Sequence, residues 1–368
     1  MSAPNPAQRL VAVLVCLLVL CGSISVALCT DAMPTGYLTE LYVGSNASPT
    51  SAGSGTAVFG SWAAVGASDS DDGATYATGS VLIYKQTVPG SWEYSASLAL
   101  PSSIGKYSYC GTSVSMYQDW LAVGCPGNNE VLIYQLNTDD NEWQHYDTKT
   151  AVVAESFGYS VSMHSGLLAV GAPCLETQTD QGRVLVFRKN TSDVWKSETA
   201  WIPGIALDYV NCGKQVDTDG TNIAAYCNGE VPGIAVLDYD TLWGPFTWIT
   251  DLDIPSVPSV SLSGDTIAVG ENAYQVAGAD FSEGRVQIYR QSETGGDFKF
   301  VQTLTDGRGV VASSFGYSVA VRGDLLVVSA PSSYGYTPTG EYSLGEGPGV
   351  VTVYEQEVDG STQTWVQV

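Results

Sequence analysis

The chain has 368 residues, of which 44% are apolar and 14% are charged, so it can bury a full core and general disorder is excluded. Its formal net charge of −24 argues against nucleic-acid binding, because phosphates are neutralised by clusters of Lys and Arg. The same charge argues against direct binding of the mature chain to an anionic membrane. The 40 glycines and 21 tyrosines are typical of many short strands joined by turns, and they favour an all-β class.

The first 29 residues have the layout of a signal peptide. Arg9 precedes a long apolar run with small residues near its end, and cleavage is predicted near Ala27-Leu28-Cys29. Residues 30–368 would then form the mature domain. The run is also long enough to serve as an uncleaved membrane anchor. Either interpretation directs the rest of the chain into the secretory route, so we expect it to be secreted or to lie on the extracellular face of the cell surface.

Two Asn-x-Ser/Thr sequons fit the secretory route. They begin at Asn46 and Asn190, and we predict both asparagines as glycosylation sites. The same route would expose the chain to an oxidising compartment, in which cysteine pairs form disulfides.

A phrase of the type Leu-x-Val-Gly-Ala-Pro recurs six times along the chain. Thirteen residues before each copy lies a second motif, clearest as Phe-Gly-Tyr-Ser-Val at residues 157–161 and 315–319. Two further β-like runs follow each copy, and the last usually opens on an aromatic residue. Four such runs in a period of about 50 residues are typical of one propeller blade, so we predict a β-propeller of four-stranded blades with six recognisable repeats. The central positions of the six copies are Val65, Val123, Val170, Ala225, Val269 and Val328.

Phe-Gly-x-Ser-Val followed by Leu-x-Val-Gly-Ala-Pro resembles the FG-GAP repeat of integrin α-chain propellers. The resemblance covers roughly residues 37–368; it is most specific in the third and sixth units and weaker in the first, fourth and fifth. It implies an extracellular β-propeller used mainly for adhesion and protein–protein contact. The glycine after the aromatic residue is expected to permit a tight approach at the crowded centre of the propeller.

The tripeptide Arg322-Gly323-Asp324 falls in the turn between the first two strands of the sixth unit. Many adhesion ligands contain these three residues. Glycine and aspartate are also ordinary turn residues, because they supply a positive φ and a polar tip. We therefore predict a structural turn, with an adhesion ligand as the alternative. The same slot in the other five units holds residues 59–61, 117–119, 164–166, 219–221 and 263–265.

Calcium is the one cofactor for which the sequence offers a candidate site. In integrin α-chains the slot just described is longer and carries an acidic calcium loop, whereas every copy here is short, which puts the family's calcium sites in doubt. The best remaining candidate is Asp69 with Asp71 and Asp72, because a hard cation requires six to eight oxygen ligands. The alternative is a solvated acidic loop.

Cysteine spacing predicts two disulfides. Cys110 and Cys125 stand 15 residues apart, as do Cys212 and Cys227. Both pairs replace the Phe of Phe-Gly and the Ala of Gly-Ala-Pro, which would face each other across the first hairpin of a blade. A zinc site is the alternative, but no histidine lies nearby in sequence. Cys174 is left over, either as a buried free thiol or as an intermolecular link.

Sequence motifs mark no catalytic centre. The two histidines, His145 and His164, belong to no visible Ser-His-Asp or Cys-His layout. Many carboxylates are present, so a secreted carbohydrate-binding protein, or a carbohydrate-active enzyme that uses the central well of the propeller, stays as the alternative function.

A binding role leads, with a protein or glycan at the cell surface as the expected partner. Loops between the second and third strands of each unit vary widely in length. The long ones in the fifth and sixth units are rich in aromatic residues, which are typical of recognition surfaces. The candidate ligand-face residues are Tyr274, Phe281, Tyr334, Tyr336 and Tyr342.

The number of blades stays open at the level of sequence. Residues 37–43 resemble an outer strand that could close the ring, yet residues 365–368 already supply an outer strand to the sixth unit. The alternatives are a six-bladed propeller with a spare strand and an incomplete seven-bladed one.

Overall fold

The fold is built from β-strands alone in the part of the chain that the structure describes. Twenty-four strands form six separate sheets, and each sheet contains four consecutive antiparallel strands. The computed structural model describes residues 52–70, 76–89, 91–151, 156–173, 182–201, 211–228, 232–238, 247–249, 257–275, 283–291, 296–306, 314–331, 350–359 and 362–368.

Blades one to three follow the repeat units of the sequence in order. The first contains β1 (Ala52–Phe59), β2 (Trp62–Ala67), β3 (Ser80–Val88) and β4 (Ser91–Ser97). The second contains β5 (Ser113–Tyr117), β6 (Trp120–Cys125), β7 (Glu130–Asn137) and β8 (Glu142–Thr150). The third contains β9 (Ser160–His164), β10 (Leu167–Ala172), β11 (Arg183–Lys189) and β12 (Trp195–Trp201).

Blades four to six complete the ring. The fourth contains β13 (Asn211–Thr218), β14 (Asn222–Asn228), β15 (Gly233–Asp238) and β16 (Thr247–Ile249). The fifth contains β17 (Ser259–Ser263), β18 (Thr266–Glu271), β19 (Arg285–Gln291) and β20 (Phe298–Leu304). The sixth contains β21 (Val319–Arg322), β22 (Leu325–Ala330), β23 (Val350–Asp359) and β24 (Thr362–Gln367). Each unit supplies all four of its own strands, so the propeller has six blades; residues 37–43 lie outside the described residues.

The second strand of each blade is the most deeply buried, and its alternating side chains face two different neighbours. In β6, Leu121 and Val123 belong to the apolar cluster shared with the first blade. Trp120 and Ala122 of the same strand belong to the cluster shared with the third blade. Because both faces of such a strand are covered, its sequence is a continuous apolar run rather than an alternating one. The core is thus divided into clusters that lie between adjacent blades.

The two glycines of the repeat meet at the contact between adjacent blades. Gly124, from the Val-Gly-Ala run of the second blade, lies against Gly158, from the Phe-Gly pair of the third; a Cβ on Gly124 would overlap the Gly158 carbonyl oxygen. Gly158 has a φ of 93°, a conformation that favours glycine. The expected tight approach is therefore confirmed, but it occurs between neighbouring blades. The other pairs of this kind are Gly66 with Gly111, Gly171 with Gly213, and Gly270 with Gly316.

Both predicted disulfides are present. Cys110 is bonded to Cys125, and Cys212 to Cys227, each with 15 residues of sequence separation. Cys212 and Cys227 are direct register partners of β13 and β14, as their positions in the repeat predicted. All four cysteines are buried; one bond joins β13 to β14, and the other joins the segment just before β5 to β6.

Serine hydroxyl groups link the innermost strands of adjacent blades. Val161 N donates to Ser113 Oγ (3.0 Å), and Met163 N donates to Ser115 Oγ (2.9 Å). The same contact joins the fifth and sixth blades, where Val319 N donates to a serine Oγ at 2.9 Å. An inner strand is the edge of its sheet, and its outward N–H groups need acceptors. Serines provide these acceptors between the second and third blades and between the fifth and sixth, and all six inner strands line one central channel.

Candidate functional site

A cavity of about 260 Å³ lies at one end of the central channel, and all six inner strands contribute residues to it. This end carries the hairpins that join the first two strands of each blade. Five of those hairpins have turns of only two residues, as the pairing of Arg322 with Leu325 shows for the sixth blade. The predicted structural turn at Arg322-Gly323-Asp324 is therefore confirmed.

Six equivalent residues surround this end of the channel, one from each blade. Each is the last residue of its inner strand, or in the fourth blade the first residue of the turn. We call this ring the channel mouth. Its members are Phe59, Tyr117, His164, Asp219, Ser263 and Arg322.

Aromatic rings form one half of the channel mouth. The ring centroids of Phe59 and Tyr117 are 5.1 Å apart, and those of Tyr117 and His164 are 4.2 Å apart. Ser165 Oγ donates to the Tyr117 hydroxyl oxygen (3.3 Å) and lies 2.9 Å from His164 Nδ1. His164 in turn hydrogen-bonds to the backbone of Asp219. These contacts connect the first four blades in sequence.

Contacts of polar and charged groups form the other half of the channel mouth. Gly264 N donates to Asp219 Oδ2 (3.0 Å), which joins the fourth blade to the fifth. Gly323 N donates to Ser263 Oγ (3.1 Å), which joins the fifth to the sixth. The Arg322 guanidinium carbon lies 5.9 Å from the centroid of Phe59, which returns to the first blade. The channel mouth is therefore a continuous ring of contacts.

Arg322 and His164 affect each other electrostatically across the channel mouth. Burial lowers the pKa of His164 from 6.5, and the positive charge of Arg322 lowers it further, while Asp219 opposes the shift. The imidazole is therefore neutral at neutral pH. Among the described residues, no carboxylate forms an ion pair with Arg322.

The carboxylate of Asp217 lies deeper in the channel and bridges three blades. It accepts hydrogen bonds from Ser162 Oγ and Leu262 N (both 2.7 Å), from Thr218 N (2.9 Å) and from Ser261 Oγ (3.2 Å). Burial raises the pKa of Asp217, and these four donors oppose the shift. Four donors occupy the lone pairs of one carboxylate, so Asp217 holds blades three, four and five together.

The opposite face of the propeller carries the connections between second and third strands and from one blade to the next; we call it the loop face. Tyr76 and Tyr107 lie there with 64% and 55% of their surface exposed. Tyr107 N donates to Tyr76 O (2.9 Å), and the rings of Tyr107 and Tyr109 are 6.5 Å apart. We call these three residues the tyrosine cluster. The backbone φ is 59° at Tyr107 and 52° at Tyr109, a region that side-chain-bearing residues rarely adopt.

Of the predicted ligand-face residues, Tyr274 is described and the other four are not. Phe281, Tyr334, Tyr336 and Tyr342 lie outside the described residues. Tyr274 is half-buried, and the Arg285 guanidinium carbon lies 3.8 Å from its ring centroid. Arg285 also pairs with the fully buried carboxylate of Glu271. Tyr274 therefore packs on an ion pair at the base of its loop.

The predicted calcium site is described at Asp69 only, since Asp71 and Asp72 lie outside the described residues. Within the described ranges no three metal-ligating side chains come together. Of the two sequons, Asn46 is not described, and Asn190 lies in the turn after β11, where its Oδ1 accepts from Ser192 N (2.9 Å) and Val194 N (3.0 Å). Calcium binding and glycosylation stay predictions, as does the role of Cys174, which is also not described.

Sequence reasoning missed both surfaces described above. The six residues of the channel mouth were recognised as equivalent turn positions, but nothing in their spacing shows that they meet. The tyrosine cluster joins two connections that no repeat motif marks. A usable signal was that Arg322 is the only Lys or Arg in that slot among the six units.

No protein-family model matches the chain, and no curated protein matches it. Solved structures resemble it in shape. A protein from Bacteroides uniformis with the provisional name 6-phosphogluconolactonase is 11% identical, with 85% of this chain and 83% of that one covered and a TM-score of 0.54. Sqt1 from Chaetomium thermophilum is 14% identical, with 83% and 70% covered and a TM-score of 0.48. A protein from Lactobacillus plantarum is 12% identical, with 92% and 88% covered and a TM-score of 0.49.

At these identities the likeness concerns the fold alone. Within the described ranges there is also no helix that is long and apolar enough to cross a membrane. The strand pairing makes the chain a six-bladed β-propeller in which every blade has four antiparallel strands.

Proposed function

We propose that the chain is an extracellular interaction module of the FG-GAP type, which binds a protein or a glycan at the cell surface through its loop face. Three features support this proposal. The FG-GAP-like glycines occupy repeated blade-to-blade contacts. The first 29 residues resemble a signal peptide. The two buried disulfides are typical of proteins that mature in an oxidising compartment.

The tyrosine cluster is the observation that carries the binding role. Tyr107 and Tyr109 hold positive φ values, which cost about 1 kcal/mol each in the absence of compensation. Backbone hydrogen bonds maintain them, since Tyr107 N donates to Tyr76 O and Tyr109 N donates to Ala77 O (3.1 Å). Exposed tyrosines on a rigid backbone lose little conformational entropy on binding. This arrangement suits recognition of a surface.

The central channel supports binding better than hydrolysis. A glycosidase of the common type needs two carboxylates that flank the scissile bond. The acidic residues that line the described channel are Asp217 and Asp219, which lie close together on one segment of the fourth blade. Asp217 accepts four hydrogen bonds, and Asp219 accepts one each from Thr221 N (2.8 Å), Asn222 N (2.7 Å) and Gly264 N. Both carboxylates therefore serve the contacts between blades.

Binding to intact cells tests the proposal. The oxidised secreted chain is labelled and added to cells of its source, and bound fluorescence is measured against concentration. We expect saturable binding that falls about tenfold or more when Tyr76 and Tyr107 are both replaced by alanine, because buried tyrosines often dominate an interface. Protease treatment of the cells abolishes the binding if the partner is a protein, and periodate treatment abolishes it if the partner is a glycan.

Tyr94→Ala is the matched control. Tyr94 is 50% exposed on the outer strand of the first blade, away from the loop face, so this variant should bind as the wild type does. Equal binding by the wild type and the Tyr76/Tyr107 double variant would contradict the proposed surface. Release of reducing sugar from cell-surface glycans would favour the enzyme instead.

A further inference from the structure

Arg322 is an exposed cation that forms no ion pair with any carboxylate in the described ranges. The chain has 38 acidic and 14 basic residues. Lys189, Arg285 and Arg290 all lie against carboxylates. The Arg322 guanidinium, in contrast, faces the Phe59 ring at 5.9 Å and borders the cavity of the channel mouth.

We propose that the channel mouth binds the carboxylate of a small organic acid, with Arg322 as the anchoring residue. This site lies on the opposite face of the propeller from the tyrosine cluster. It is independent of the proposed cell-surface function.

The chemistry of the ring favours a carboxylate with a flat or apolar body. A guanidinium presents two parallel N–H groups that match the two oxygens of one carboxylate. Tyr117 lines the cavity and supplies an aromatic wall, and the Phe59 ring packs against it with the ring centroids 5.1 Å apart. The Tyr117 oxygen accepts a hydrogen bond from Ser165 Oγ, so its own O–H is available as a donor.

The charged groups of the site are one guanidinium and two carboxylates. Arg322 is the one cation among the six residues of the channel mouth, and His164 beside it is neutral at neutral pH because burial and Arg322 lower its pKa. The carboxylates of Asp217 and Asp219 line the same cavity. Recognition of a carboxylate at this site therefore depends on direct contact with the Arg322 guanidinium and not on the summed charge of the cavity.

The size of the site limits the ligand to a small molecule. The cavity of about 260 Å³ is slightly smaller than ordinary ligand pockets, whose volumes begin at about 300 Å³. Its walls are the inner strands and short turns of the six blades, which are held by the contacts between blades. A preformed cavity of this kind loses little entropy on binding.

Isothermal titration calorimetry with sodium benzoate tests the proposal on the full secreted chain. Benzoate supplies the carboxylate and a flat body, and benzamide is the neutral compound of the same shape. We expect benzoate to bind the wild type with a millimolar dissociation constant and benzamide to show no heat of binding. Arg322→Gln should weaken benzoate binding about tenfold or more, because a charge-assisted bidentate contact is lost.

Two further variants separate the site from general effects. Lys299→Gln removes one positive charge from an exposed position on β20, and it should leave benzoate affinity unchanged. Arg322→Lys keeps the charge without the planar fork, and it should bind benzoate more weakly than the wild type and more tightly than Arg322→Gln. Circular dichroism and the thermal midpoint establish that each variant is folded.

Three results would overturn the proposal. The first is no binding of benzoate to the wild type at millimolar concentrations. The second is that the wild type and Arg322→Gln bind benzoate with equal affinity, whatever the affinity of Arg322→Lys. The third is binding of a peptide with a free C-terminal carboxylate, but not of its amidated form or of benzoate, which would assign the channel mouth to a protein partner.

Discussion

A methyl group added at the contact between two blades should destabilise the propeller severely. Gly66 lies in β2, at the contact with the second blade, in ordinary strand conformation. A Cβ on Gly66 would lie 2.7 Å from the carbonyl carbon of Gly111 and 2.9 Å from its Cα, and closer still to its carbonyl oxygen. Ordinary contacts of a Cβ begin at 3.4 Å, so the two backbones must separate by at least 0.7 Å (3.4 − 2.7).

Because both partners are backbone, the clash in Gly66→Ala cannot be relieved by a rotamer change. The movement would loosen a whole blade contact, and we expect a loss of about 3 kcal/mol, the upper end of the usual range for overpacking. Urea unfolding followed by circular dichroism measures the change in midpoint.

Gly105→Ala is the matched control for this experiment. Gly105 has no atom within 4 Å of the position of an added Cβ and no positive φ, so its substitution should change stability by less than about 1 kcal/mol, in the stabilising direction. If Gly66→Ala unfolds at the same urea concentration as Gly105→Ala, the assignment of the repeated glycines to blade contacts is wrong.

Four further predictions follow from individual contacts. Replacing Cys110 and Cys125 together by alanine should destabilise the protein by about 3 kcal/mol, as expected for a closed loop of this length, and reduction of the wild type should reproduce part of the drop in Tm. Arg322→Gln should raise the pKa of His164 towards 6.5, measured by NMR titration with the second histidine as internal control; an unchanged pKa would contradict the placement of Arg322. The pKa of His164 is lower in the folded protein than in the unfolded chain, so its contribution to stability is present above about pH 6.5 and is lost as the pH falls through the folded-state pKa. Acidification should therefore lower the Tm of the wild type more than that of Arg322→Gln. Arg285→Met should lower the free energy of unfolding by about 3–5 kcal/mol, because it removes the guanidinium that pairs with the buried carboxylate of Glu271. A change in thermal midpoint no larger than that of Lys299→Gln would contradict a stabilising role for this ion pair.

The fold was largely predictable because each blade is a local unit with a repeated pattern. The run at residues 298–304 predicted an outer strand, and β20 has those bounds. Cys212 and Cys227 replace two known positions of the repeat, so their pairing followed from the hairpin alone. The order of strands within a sheet needed no further information, because consecutive antiparallel strands pair through short connections.

The three-dimensional structure explains why the repeat motif is altered in the fourth and fifth units. The fourth unit has Tyr226 where the other Gly-Ala-Pro copies favour glycine, and the fifth has Val257 where Phe-Gly copies have glycine. At four contacts between successive blades, glycines occupy these two positions and face each other, as Gly124 faces Gly158. The two departures therefore fall at the same blade contact, between the fourth and fifth blades. Tyr226 lies in the apolar cluster shared by those two blades.

By itself, the sequence determined the all-β class, the four-stranded repeat, the two disulfides and the turn at Arg322-Gly323-Asp324. These features depend on contacts within one unit, where the spacing of residues translates directly into register. Only the tertiary structure decided that there are six blades, that repeated glycines meet across blade contacts, and that Phe59, Tyr117 and Arg322 share one channel mouth. Residues from different blades are distant in sequence, and no local pattern records that closing the ring brings them together.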